Sequence, residues 1–238
     1  MNKSCLLALC FALSLSAAAQ SKKIVVIGSS TAAGSGARPI DSSWVNRLRV
    51  SLNRDNSDGR DTIVTNLAVG GYTSYELMPT GFSAPAGRPG PDTAHNITAA
   101  LQQAPDVIII NLPSNDIGKN FSKDEFMNNM RLQSGMAVDR GIRCFISTTQ
   151  PRNFRDNNQR RQQRELVDSL YASFGPYIIN FWDDLVSSDT LYRMRDDLNS
   201  GDDIHLNNKG HRYLFERVFS TDLFTPPLPV RKPAGKKK

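Results

Sequence analysis

Five short runs of β-forming residues alternate with stretches whose apolar residues recur at helical spacing, and this alternation constrains the fold more than any other feature of the chain. The runs are Ile24 to Ile27, Thr62 to Ala68, Val107 to Ile110, Cys144 to Ser147 and Tyr177 to Asn180. The helical stripes are Trp44/Val45/Leu48/Leu52, Phe126/Met127/Met130/Ala137, Leu166/Val167/Leu170/Phe174 and Tyr213/Leu214/Arg217/Val218. Strands that are apolar throughout, rather than alternately, are buried on both faces, which is the mark of a parallel sheet between two helical layers. The expectation is an α/β three-layer sandwich with a five-stranded, mainly parallel sheet. One irregular stretch interrupts the pattern. Residues 76–98 carry "MPTGFSAPAGRPGPD", rich in proline and glycine, between the second and third runs. Loops of that length in a compact domain are often functional.

Residues 1–19 stand apart from this pattern. Lys3 supplies a positive start, Leu6 to Leu15 an apolar run too short to span a bilayer, and Ala17 to Ala19 a small-residue cleavage site. They read as a signal peptide cut before Gln20, so the protein is expected to be exported, to the periplasm or outside the cell. Residues 20–224 are expected to form one domain. Removing the leader takes Cys5 and Cys10 with it and leaves Cys144 alone, so the fold is expected to hold by core burial, without an internal disulfide.

The formal charge of +6 is concentrated at residues 225–238, where Arg231, Lys232, Lys236, Lys237 and Lys238 occur with no acid. This Pro-rich end reads as a disordered basic tail, and nucleic-acid binding is not expected. No other apolar run is long enough for stable membrane insertion. Three histidines and no carboxylate cluster at ligand spacing argue against a metal site.

In an open parallel sheet ligands gather at the carboxyl edge, so the residues just after each strand are the ones to read. They are Gly28-Ser29-Ser30-Thr31, then Asn66 to Gly71, then Asn111 to Asp116, with "GDDIHLNNKGH" near the end of the chain. A P-loop fails because Gly28 and Gly34 have the wrong spacing and Ser35, not Lys, follows. A dinucleotide fingerprint fails at Ser30, where its second glycine belongs. Acyl transfer needs a hydroxyl nucleophile, a base, a group that orients the base, and donors for an oxyanion. Ser30 at a strand-to-helix break, His205, Asp202 three residues earlier, Gly71 and Asn115 are candidates for those parts. Each also has a plainer reading: Ser30 as a helix cap, His205 as a surface histidine, Asp202 or Asp203 as a turn former, Gly70 and Gly71 as a turn, Asn115 as a cap. Asp116 is expected to do no more than cap, and His211 to lie on the surface of a helix.

The four blocks together, in this order, resemble the SGNH hydrolases, also called GDSL lipases and esterases, over roughly residues 23–218. The resemblance implies a flavodoxin-like SGNH hydrolase fold and a serine ester hydrolase that needs no cofactor. Ser30 would be the nucleophile, His205 the base and Asp202 its partner; the Ser30 N–H, the Gly71 N–H and the Asn115 side chain would form the oxyanion hole. Two positions depart from the family pattern: Ser29 stands where the name-giving motif has Asp, and Pro113 where the third block has Gly. The α/β-hydrolase elbow also begins with Gly28-x-Ser30, but Ala32 occupies its second glycine.

The substrate is less legible. Arg152, Arg155, Arg160, Arg161 and Arg164 follow the fourth strand with one acid, Asp156, among them. They read as a solvated first helical turn, with a binding role open for Arg152. Tyr72, Tyr75, Phe82, Phe154 and Trp182 read either as a sugar-stacking rim, with Tyr72 a candidate, or as core. Export, together with no long apolar lid segment, favours acetyl or similar short acyl esters on a small molecule or polysaccharide. The alternatives are a lysophospholipase or thioesterase of the same fold, and a non-catalytic carbohydrate-binding protein.

Overall fold

The structure, a computed structural model, describes residues 21–225 apart from 55–60, 113 and 188–190. The leader at 1–19, the tail beyond 225 and Pro113 therefore lie outside the described residues. The strands are β1 (Lys22–Gly28), β2 (Thr62–Asn66), β3 (Val107–Asn111), β4 (Arg143–Ser147) and β5 (Ile178–Ile179). The helices are α1 (Ser30–Ala33), α2 (Trp44–Arg54), α3 (Ile97–Gln102), α4 (Asn115–Gly118), α5 (Lys123–Val138), α6 (Asn157–Phe174) and α7 (Asn208–Phe219). All five strands are parallel, in the order β2-β1-β3-β4-β5.

The pleat of each strand divides the core in two. Ile24, Val26 and Ile109 face one layer, where they meet Trp44, Val45 and Leu48 of α2 and Leu214 and Val218 of α7. Val25, Ile27, Ile108 and Ile110 face the other, against Ile97 of α3, Phe126 and Met130 of α5, and Leu166 and Leu170 of α6. Ile24, Ile27, Ile108, Ile109 and Ile110 are each 0% exposed, and each such side chain contributes about 1.5–3 kcal/mol by leaving water. Cys144 is a free thiol buried in the second layer. Burial pushes it up to about 12, so it behaves as a small apolar side chain.

Two strands end sooner than their apolar runs suggest, for the same reason. Asn66 turns its side chain to the Ala32 carbonyl (2.8 Å) and accepts from Ala68 N–H (3.1 Å). Asn180 accepts from the N–H groups of Trp182 (2.8 Å) and Asp183 (2.9 Å). Both are Asx turns, which offer the backbone an alternative to the ladder. The stretch 76–98 carries turns until α3 begins, and Asn96 caps that helix by accepting from Ala99 N–H. Because all strands are parallel, the turns that leave β1, β2, β3 and β4 open onto one edge. Among the described residues, no helix is long and apolar enough to cross a membrane.

Candidate active site

β1 delivers Ser30 to that edge as the first residue of α1, where a backbone N–H has no intrahelical acceptor. Ser29 takes the cap position, with no side-chain cap bond, so the Ser30 hydroxyl is not spent on capping. It is mostly buried, at 8% exposure.

His205 reaches it from the far end of the chain. Residues 199–206 form a tight hairpin closed by the Asn199–Leu206 bridge and by Ser200 N–H to His205 O (2.9 Å). Asp203 at its tip has φ +62°, in the left-handed region. This hairpin sets Asp202 and His205 side by side. Imidazole Nδ1 lies 2.6 Å from Asp202 Oδ2, and Nε2 lies 2.9 Å from Ser30 Oγ. The other oxygen of Asp202 accepts from the N–H groups of Ile204 (2.9 Å) and His205 (2.8 Å). Burial, the largest single influence, raises the Asp202 carboxyl, but those hydrogen bonds outweigh it and hold the group well below the usual carboxylate range. An anion fixed there gives Nδ1 the proton and leaves Nε2 free to take one from a serine hydroxyl.

Gly36, a residue that sequence reasoning passed over, holds the two chain ends together. It has φ +92°, and a Cβ there would lie 2.1 Å from the Leu206 carbonyl oxygen and 3.1 Å from His205 Cβ. Only a residue without a side chain lets the loop after α1 pack this closely on the His205 segment. The signal was present in the sequence as a second Gly in "GSGA".

The turn after β2 approaches Ser30 from the side: a Cβ on Gly70 would sit 3.9 Å from Ser30 Cβ. Gly71 follows with φ +86° and open space where a Cβ would be. The backbone conformation, and not crowding, is what calls for glycine there. Asn115 opens α4 beside them. Its amide donates to Ser29 Oγ (2.7 Å) and to the Tyr72 carbonyl (2.8 Å). Both of its N–H groups are thus engaged within the protein, and Ser29, at the position where the family pattern has Asp, is one of the acceptors.

Asp116 does more than the capping expected of it. The cap position of α4 is Ser114, and Asp116 is buried, accepting from Ser74 N–H (3.0 Å) and Ser74 Oγ (2.6 Å). It staples the segment after Gly71 to α4. Burial pushes its carboxyl up to about 6 against the pull of the Ser74 bonds. His211 also departs from expectation: it is 0% exposed rather than on the surface. Its ring donates to the Ser35 carbonyl (2.9 Å) and accepts from Trp44 N–H (3.4 Å). Burial lowers its pKa to about 4, so it sits there as a neutral imidazole.

The arginines after β4 do not behave as one solvated turn. Arg160 is buried and bonds the Leu191 and Phe154 carbonyls. Arg164 pairs with Asp168 at 2.7 Å, and Asp156 caps α6 by accepting from Asn158 N–H. Arg155 and Arg161 are exposed, and Arg152 is half-buried. Tyr75, Phe154 and Trp182 are core residues, which leaves Tyr72 and Phe82, both half-buried, of the aromatics considered for a rim. The Tyr72 hydroxyl is taken up by Asp92. Burial first, and then that hydrogen bond, push it up to about 12.

A separate hollow of about 270 Å³ lies between α4, α5 and α6, lined by Ile117, Phe121, Phe126 and Leu166. Neither Ser30 nor His205 lines it. Among the described residues, no three His, Cys, Asp or Glu side chains group as a metal site would require.

The sequence profile described as the GDSL-like Lipase/Acylhydrolase family matches residues 26–213. Among curated proteins no match was found. Among solved structures, the psychrotrophic esterase EstA from Pseudoalteromonas sp., inhibited by monoethylphosphonate, shares 16% identity over 84% of this chain and 96% of its own, with a TM-score of 0.59. The acetyl xylan esterase AlAXEase shares 14% identity over 83% of this chain and 98% of its own, with a TM-score of 0.60. A GDSL-like lipase from Bacteroides thetaiotaomicron VPI-5482 shares 14% identity over 83% of this chain and 86% of its own, also at 0.60. At these identities the structural likenesses speak for the fold.

Proposed function

The chain belongs to the GDSL-like Lipase/Acylhydrolase family, and from that premise we propose that it is an exported serine esterase that removes acetyl or similar short acyl groups from carbohydrate through an acyl-enzyme on Ser30. The observation that carries the reading is the unbroken relay from Asp202 Oδ2 through His205 to Ser30 Oγ, with contacts of 2.6 and 2.9 Å.

In this mechanism Ser30 Oγ attacks the acyl carbon as its proton passes to His205 Nε2, and Asp202 stabilises the imidazolium that forms. The negative charge on the former carbonyl oxygen is met by the Ser30 and Gly71 N–H groups and by one N–H of Asn115, which must release Ser29 Oγ or the Tyr72 carbonyl to serve. Collapse expels the alcohol, which takes the proton from His205. Water, deprotonated by the same ring, then attacks the acyl carbon, frees the acid and restores Ser30.

Support for a short acyl group on a sugar comes from the likeness to an acetyl xylan esterase fold and from the half-buried ring of Tyr72, next in the chain to Gly71. Support for export comes from the leader pattern at residues 1–19. The test is labelling with an active-serine phosphonate together with turnover of acetylated oligosaccharides. Ser30→Ala is expected to abolish labelling and to lower kcat by roughly ten-thousand-fold or more with the fold intact. Retained hydrolysis in that variant would overturn the assignment, and faster cleavage of long-chain acyl esters than of acetyl esters would overturn the substrate.

A further inference from the structure

We propose that Arg152 is a specificity residue of this site, and that the natural ester carries a carboxylate or phosphate beside the acyl group it loses. The inference rests on the serine-esterase reading and extends it to the substrate.

The segment after β4 is pinned between the two halves of the site. On one side it is tied to the hairpin of Asp202 and His205: Asn153 N–H donates to the Asp203 carbonyl (2.9 Å), Asn153 Nδ2 to Asp203 Oδ1 (3.0 Å), and Gln150 Nε2 to the Ile204 carbonyl (3.3 Å). On the other side lies α4, which carries Asn115. A Cβ built on Gly118, the last residue of α4, would lie 3.2 Å from Arg152 Nη1, so the guanidinium lies against that helix where a larger residue would crowd it. Its flat face rests on the Phe154 ring, 4.4 Å from the centroid. Arg152 N–H donates to Gln163 Oε1 (3.2 Å), which fixes the backbone below it.

Among the described residues, what this guanidinium lacks is an acceptor. Arg88 grips Glu125, Arg195 grips Asp197, Arg217 bonds Asp184, and Arg160 is filled by carbonyls. Among the described residues, Arg152 meets neither a hydrogen-bond acceptor nor a carboxylate within ion-pair distance. Asp202 lies close enough to influence it, opposing the larger effect of burial. Yet the oxygens of Asp202 are already committed to His205, to Ile204 and to the Ser200 hydroxyl (3.1 Å). A half-buried guanidinium fixed by stacking, with its donors unspent, is preorganised for an oxyanion, and its fork matches carboxylate and phosphate alike. It lies against α4, the helix that Asn115 opens, and close enough to Asp202 to feel its charge, so the anion it recognises is part of the substrate.

The experiment compares kcat/KM for three acetyl esters of one sugar: methyl glucoside, its 6-carboxylate counterpart and its 6-phosphate counterpart. The wild-type protein is expected to prefer at least one anionic ester over the neutral one by about tenfold or more, a factor in keeping with one charged hydrogen bond. That preference is expected to fade as salt rises, and the preferred anion tells the carboxylate source from the phosphate source. In Arg152→Gln the anionic-to-neutral ratio is expected to fall about tenfold, mainly through KM. Arg152→Lys, which keeps the charge and loses the fork, should fall in between, and it carries the test should the Gln variant not fold. A wild-type ratio near one, or a ratio that neither substitution moves, overturns the proposal. Phosphonate labelling is run beside it. Labelling of Ser30 without anion preference removes the anion site alone; no labelling removes the esterase reading and the anion site with it.

Discussion

Asp202 shows how little of a carboxylate's behaviour lies in its own identity. It sits on the surface side of the hairpin, yet two backbone N–H groups and the His205 ring hold it ionised. Replacing it with Asn would keep the backbone acceptor but present an N–H to His205 Nδ1, favouring the tautomer that cannot accept from Ser30. The expected result is a fall in kcat of about a thousandfold with the melting temperature little changed, measured by steady-state kinetics and thermal unfolding. Asp116→Ala is the reverse case. It strips the acceptor from a buried Ser74 N–H and hydroxyl, and urea unfolding is expected to show a loss of about 1–3 kcal/mol. That Ser30, Asp202 and His205 are of the types the proposed chemistry needs was legible, because they stand at a strand end and a turn. His211 was misjudged although its signal was present: it lies on the same helical stripe as Leu214 and Val218, at i, i+3 and i+7, and so faces the core.

Among elements, the stretch 76–98 depends on α5. Glu125 closes a capping box with Ser122 at the start of α5, and the same carboxylate receives Arg88 at 2.6 and 3.1 Å and the Tyr75 hydroxyl at 2.8 Å. Arg88 also lies 4.1 Å over the Phe121 ring. One side chain therefore starts a helix and anchors a long loop. The hydrogen bond from Arg88, ahead of opposing burial, lowers the Glu125 carboxyl from 4.5 to about 2. Because the folded value is depressed, this anchor contributes stability in full above about 4.5, and that contribution is lost as pH falls toward about 2. Acid titration of the 76–95 segment by hydrogen exchange should show it loosening in that window, and Glu125→Gln should show the loosened state already at neutral pH. The sequence marked this stretch by its prolines and glycines, whereas α3, six residues long, carries too little periodicity to be read.

At the scale of the whole molecule, the site exists because the two ends of the domain are bolted together. The loop after α1 is joined to α7 by Arg38 N–H to Asn208 Oδ1 (2.7 Å) and by His211 to the Ser35 carbonyl (2.9 Å), with Gly36 pressed against Leu206 between them. Gly36→Ala would force the hairpin away from Ser30, and a displacement of that kind is expected to cost about a hundredfold in kcat/KM, read against a Ser30 phosphonate label that forms more slowly. His211 sets an acid limit on the same joint. Folding holds its imidazole neutral, with a pKa lowered from 6.5 to about 4, so the unfolded chain takes up a proton first. Stability should fall as pH drops from 6.5 toward about 4, and the difference in unfolding free energy between wild type and His211→Gln should narrow over that range.

Taken alone, the sequence determined the layered α/β architecture and the identities of the groups proposed to transfer an acyl chain. Both follow from local rules: the period of apolar residues selects strand or helix, and side-chain chemistry selects nucleophile and base. Tertiary structure alone decided that residue 205 touches residue 30, that Gly36 is the hinge of that contact, that His211 is core, and that among the described residues the Arg152 guanidinium meets no acceptor. Those facts depend on packing between segments distant along the chain, and no pattern within a single segment carries that information.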